Sequence, residues 1–139
     1  MLSREVGHAL VVRAGSNPEK PHGAGGREVL LEQRPLSLGV MPGLWELPIL
    51  RSPEVPEQAL RMTVRHAIMQ VNYYVRIRNV FEGDVDALTV PGGERRWVAL
   101  DEAGGMALTG LARKVLARAR LLPTAPLDSL APRPDENAL

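Results

Sequence analysis

Apolar and polar positions alternate along several stretches of this chain, and each alternation predicts a β-strand. In Glu5 to Arg13, Val6, His8, Leu10 and Val12 fall on one face and Ala9 and Val11 on the other. Both faces are apolar, so a central strand is expected. Arg27 to Arg34 carries Val29, Leu30 and Leu31 before it turns polar. Further on, Met62, Val64, His66 and Ile68 alternate with Thr63, Arg65 and Ala67. Val71, Tyr73, Val75 and Ile77 then alternate with Asn72, Tyr74, Arg76 and Arg78. The last two runs are out of phase by one residue at Met69-Gln70, which predicts a bulge or a tight bend there. Arg95 to Leu100 supplies a final strand.

Helical spacing is clear once. Thr109 suits the N-cap of a helix from Gly110 to Leu122, with Leu111, Val115, Ala119 and Leu122 as its apolar stripe, flanked by Ala112 and Leu116. Arg113, Lys114, Arg118 and Arg120 take the other side, and Pro123 ends the helix. Earlier, Pro53 and Pro56 allow no more than a turn or two of helix before Leu60. The glycine-rich loop from Ala14 to Gly26 reads as a hairpin loop with a mobile tip, since no Gly-Lys-Ser/Thr ending or following helix makes it a phosphate cradle. The sum is an α+β sandwich of mostly antiparallel strands with one clear C-terminal helix. Residues 1–122 read as one domain and 123–139 as a proline-rich, disordered tail.

Composition narrows the chemistry. Among 139 residues there is no cysteine and there are 3 histidines, which excludes disulfides, thiolate zinc sites and Fe–S clusters and argues against a histidine-rich metal site. No metal ligand or cofactor is expected. The formal charge is +1. The tail carries Asp128, Asp135 and Glu136 against Arg133, so the remainder is mildly basic. That is short of what charge alone needs to establish nucleic-acid binding. No apolar run approaches membrane-spanning length, and the N-terminal charges do not suit a signal peptide, so a cytoplasmic protein without membrane contact is expected.

Particular words in the sequence carry a resemblance. VLLEQRP and GLWELP, then His66 on a strand, then RRWVALDE and LTGLARKVL, resemble in wording and order the C-terminal domain of MutY-type A/G-specific adenine DNA glycosylases. The resemblance covers most of Val6 to Leu121. It implies a Nudix-like fold, here a mixed and antiparallel β-sheet sandwich, and a part in recognising 8-oxoguanine opposite a misplaced adenine.

Three functions compete. A Nudix hydrolase of nucleoside diphosphate derivatives such as 8-oxo-dGTP needs a helix that presents clustered glutamates to Mg²⁺. That helix should start directly after Pro48, where Ile49-Leu50 stand in place of Gly-Gly. Glu54 and Glu57 are the only carboxylates before His66, so the Nudix-box helix is expected to be truncated or missing, and no catalytic residue is assigned. A DNA-lesion module is the second reading. The resemblance implies a recognition loop at His66-Ala67-Ile68-Met69-Gln70, in which the family's aromatic, hydroxyl and second histidine are replaced. Candidate nucleic-acid contacts are His66, Met69, Gln70, Asn72, Tyr74, Arg76 and Arg78. A solvated sheet face is the plainer reading of the last four, and a core histidine bonded to backbone the plainer reading of His66. Trp45 and Trp97 read as core anchors, with Arg34 pointing into a cleft beside Trp45. The third reading is a protein–protein accessory domain that has lost both chemistries. The expected partners are duplex DNA containing 8-oxoguanine and a catalytic glycosylase domain, because no glycosylase domain is present in the chain.

Overall fold

The apolar run that opens the chain is divided between two sheets. In the computed structural model, which describes residues 2–15, 26–35 and 42–122, β1 (Leu2–Leu10) and β2 (Val12–Ala14) are separate strands. This corrects the single strand expected from Glu5 to Arg13: at Val11 the chain leaves one sheet for the other. β1 runs parallel to β6 (Val71–Asn79), which pairs antiparallel with β5 (Leu60–Ile68), in the order β1-β6-β5. In the second sheet β3 (Arg27–Gln33) is the centre. It pairs with β2 and the short β4 (Trp45–Glu46), and with β7 (Arg95–Ala99), all antiparallel.

β1 is not an open edge. The Ala9 amide donates to Pro48 O at 2.8 Å and the Leu50 amide to Gly7 O at 2.9 Å, so 48–50 runs along its second edge. Val90 N donates to Ile49 O at 2.8 Å, which ties 89–90 on beyond.

The phase change at Met69-Gln70 is a tight bend. Ile68 pairs with Val71 across a two-residue turn, with φ of 48° at Met69 and 69° at Gln70. Two positive φ values match a turn that follows the twist of the strands and that glycine or asparagine usually fills. The alternating faces of β5 and β6 are therefore kept in register through the turn.

The helices differ from expectation at both ends of the length scale. Four-residue helices α1 (Val85–Leu88) and α2 (Leu100–Ala103) are added, and Leu100 opens α2 instead of closing a strand. α3 (Gly110–Arg118) has the expected start, since Thr109 Oγ1 accepts from the Ala112 amide at 3.1 Å. It stops short of Leu122. Arg120 turns left-handed at φ 59°, and the Leu121 amide donates back to Leu116 O at 2.9 Å. That closure lets Leu121 bury itself instead of continuing the helix.

One core lies between the sheets and under α3, where Leu31, Leu47, Leu100 and Leu116 are fully buried. A second lies on the other side of β1 and β3, with Ala9, Val11, Leu30 and Leu50. Burial on both faces is what the two-sided apolar pattern of the first run required. The tail 123–139 and the tip of the Ala14–Gly26 loop lie outside the described residues. No helix among the described residues is long and apolar enough to cross a membrane.

Candidate ligand cleft

After Pro48, where the Nudix helix would begin, the chain stays extended. Pro48–Arg51 lies between β1 and residues 88–90, and the next element is a single 3₁₀ turn, Glu57–Ala59, before β5. A Cβ on Gly7 would stand 2.9 Å from Leu50 Cδ1 and 3.2 Å from Ser52 O, so glycine is what lets this extended passage lie on β1. Glu54 and Glu57 are exposed. No group of three or more metal-binding side chains occurs among the described residues.

On the inner face of β1-β6-β5, beside the hairpin turn, is a cleft of about 410 Å³. Val6, Ile68, Val71 and Val75 make its apolar floor, and Leu111 of α3 closes one side. Its polar groups are His8, Arg34, Glu46, His66 and Tyr73. A smaller hollow of about 170 Å³ shares Arg34, Glu46 and Ile49 and continues toward Glu32 and Gly92-Gly93. Gly92 packs directly on the Glu32 carboxylate, where any Cβ would collide. Glu32 is itself held by Arg95 Nε at 2.8 Å.

Glu46 is buried yet fully answered. Its Oε1 accepts from the Leu47 amide at 2.9 Å and its Oε2 from the Thr109 hydroxyl at 2.7 Å. Trp45 N donates to Ala107 O and Thr109 N to Trp45 O, at 2.8 and 2.9 Å. GLWELP and LTGLARKVL are thereby fastened together, and the N-terminus of α3 is fixed over the cleft.

The two cleft histidines differ in their partners. His8 is the buried one bonded to backbone, with Nδ1 2.8 Å from Leu47 O. His66, expected to be backbone-bonded, is half-buried and has its Nδ1 3.2 Å from Lys114 Nζ. Burial and then the Lys114 charge lower its pKa, with Glu46 pulling the other way, which favours the neutral ring.

The remaining sequence candidates separate by face. Met69 stands on the cleft rim, 81% exposed, with Gln70 beside it at the hairpin tip. Asn72, Tyr74, Arg76 and Arg78 share the opposite face of β6, away from the cleft. There Arg76 pairs with Glu5, and Arg78 Nε is buried without a hydrogen-bond partner among the described residues. Arg34 lines the cleft, whereas Trp45 is core, under the Arg96 guanidinium at 4.9 Å. Trp97 is half-buried, with Arg13 3.9 Å above its ring. His8, Glu46, Tyr73 and Thr109 were not foreseen as parts of this site. The signal that could have shown Glu46 is a charged residue set within the otherwise apolar Leu44–Leu47.

No protein-family model matches the chain, and no curated protein does. Solved structures do. A MutT protein from Methanosarcina mazei superposes with a TM-score of 0.57 and 16% identity, over 84% of this chain and 92% of that one. The Nudix domain of Shewanella oneidensis NrtR, solved with ADP-ribose, gives 0.54 and 14% identity over 86% of each chain. Likeness at such identities speaks to architecture alone, and it agrees with the two sheets and the C-terminal helix described above. This chain is a Nudix-fold domain.

Proposed function

We propose that this chain is a non-catalytic Nudix-fold domain of the MutY C-terminal type, which helps to recognise 8-oxoguanine opposite adenine in duplex DNA. The observation that carries the reading is the hairpin tip. Two consecutive non-glycine residues held at positive φ store backbone strain, of the kind that gathers at binding sites. They place an exposed thioether, Met69, on the rim of an apolar cleft that His66 also lines, and an exposed amide, Gln70, beside it at the hairpin tip. A thioether can wedge against a base step, and an amide can both donate to and accept from a base edge. Asn72, Tyr74, Arg76 and Arg78 would approach the flanking backbone, with Arg76 first leaving Glu5. A catalytic glycosylase domain would supply the chemistry.

Hydrolysis is the competing reading, because the MutT architecture is present. The extended passage after Pro48 speaks against it, since Mg²⁺-bound pyrophosphate needs clustered carboxylates.

The test is affinity for a duplex with one 8-oxoguanine:adenine pair against the undamaged duplex, at fixed salt. The expected result is at least about tenfold preference for the lesion, equal to ~1.4 kcal/mol. Equal affinity with a steep salt dependence would reduce the interaction to phosphate contact and contradict the proposal. No Mg²⁺-dependent turnover of 8-oxo-dGTP is expected in a parallel assay, and turnover there would establish the hydrolase instead.

A further inference from the structure

The sheet β1-β6-β5 is guarded on one side and open on the other. Residues 48–50 close the outer edge of β1, whereas β5, nine residues long, ends the sheet. No backbone hydrogen bond from the described residues reaches its far edge. Arg65 O marks that edge, since it accepts from Lys114 Nζ at 3.4 Å and so points away from β6. Backbone groups along a strand alternate sides, so the N–H and C=O of Thr63, Arg65 and Ala67 face outward together over roughly 14 Å. An open edge of this kind is a template for another strand.

Charge decides which strand fits. α3 lies alongside β5 and antiparallel to it: Lys114 Nζ is also 3.2 Å from His66 Nδ1, and toward the other end Arg61 Nη2 donates to Ala119 O at 3.2 Å. Arg118 follows Lys114 by one helical turn and shares its side of α3. The open edge therefore runs between Arg61 and Arg65 on the strand and Lys114 and Arg118 on the helix. Arg65 and Arg118 are exposed, and neither guanidinium has an ion-pair partner among the described residues.

These cations select the occupant. A second copy of this chain fits poorly, because β5 laid antiparallel on itself about Thr63 sets Arg61 opposite Arg65, and like charges across such a pair are destabilising. Nucleic-acid phosphates answer the cations but bring no donor to the outward carbonyls. An extended peptide with carboxylate side chains answers both. From this geometry we infer that the open edge of β5 docks an acidic peptide segment of another protein as an added strand. The incoming amide replaces Lys114 Nζ on Arg65 O, where the contact is long for a hydrogen bond, and Lys114 turns to a carboxylate. The inference does not rest on lesion recognition.

Amide NMR of the full chain tests it with three capped peptides, which alternate glutamate with threonine, glutamate with proline, and lysine with threonine. The glutamate–threonine peptide should shift the Thr63, Arg65 and Ala67 amides saturably and slow their hydrogen exchange. The glutamate–proline peptide keeps the charge but lacks every second backbone donor, and should bind at least about tenfold more weakly. The lysine peptide should not bind. Arg65→Glu and Arg118→Glu, both at exposed side chains, should each weaken glutamate–threonine binding at least about fivefold. No saturable shift at the three amides, equal binding of the proline peptide, or undiminished binding by both variants would each overturn the inference. Saturable shifts there with an undamaged duplex but no peptide would give the edge to nucleic acid instead. Shifts that grow with the concentration of the free protein would give it to a second copy.

Discussion

Thr109 uses one hydroxyl twice, donating to the buried Glu46 carboxylate and accepting from the first turn of α3. Thr109→Ala removes the cap and leaves half of a buried carboxylate unanswered, a loss expected to be about 2–4 kcal/mol by urea unfolding. Thr109→Ser keeps the hydroxyl and should cost less than about 1 kcal/mol; equal losses for the two would mean that the methyl packing, not the hydrogen bonds, matters. The cap was legible in the sequence because threonine precedes an apolar-periodic run. Its bond to Glu46 was not, because no local pattern reports a contact between residues so far apart in the chain. His66 gives a second prediction at this scale. Its pKa is lowered in the folded protein, chiefly by burial, so the unfolded chain binds more protons just below the ordinary value of about 6.5. The His66 contribution to stability should be complete above that value. It should shrink as pH falls toward the depressed folded value and stay constant below it. His66→Phe should flatten that part of the stability profile, and an unchanged slope would assign it to other groups.

The β5–β6 hairpin is the element on which the proposed recognition rests. Its turn runs on Met69 and Gln70 at positive φ, each costing a non-glycine residue about 1–2 kcal/mol. Replacing the pair by Asn-Gly should stabilise the domain by about 1 kcal/mol or more, because those residues accept this turn readily. The same change should lower affinity for the lesion duplex about tenfold by removing the thioether and amide. A stabilised variant with undiminished lesion binding would show the tip to be an ordinary turn. This hairpin was readable in advance because the period-two alternation breaks phase at one place. α1 and α2 were not, since a four-residue helix is too short to display a 3.6-residue period. The early end of α3 was hidden for a different reason: the left-handed Arg120 follows from where Leu121 can be buried, which is tertiary information. The division of the first apolar run at Val11 likewise leaves no local mark, since a strand that changes sheets keeps its alternation.

At the scale of the whole molecule, the Nudix-like fold is present while the segment directly after Pro48 is extended. The architecture matches that of the MutT structure, with Pro48–Arg51 extended and accommodated on β1 at Gly7 and a single 3₁₀ turn, Glu57–Ala59, before β5. The missing helix could be read from sequence because Ile49-Leu50, two prolines and only two carboxylates occupy its place. The cleft could not, since it draws on β1, β5, β6 and α3 together, and its buried Glu46 and His8 are neighbours only in three dimensions. The proposed role of this architecture is to recognise an oxidised base through its hairpin tip and cleft. Amide and histidine NMR mapping with a short duplex containing 8-oxoguanine opposite adenine, set against the undamaged duplex, tests that claim most directly. Lesion-specific shifts should concentrate at Ile68, Met69 and Gln70 and on the His66 ring. Identical shifts with both duplexes, or lesion-specific shifts confined to other surfaces, would contradict it.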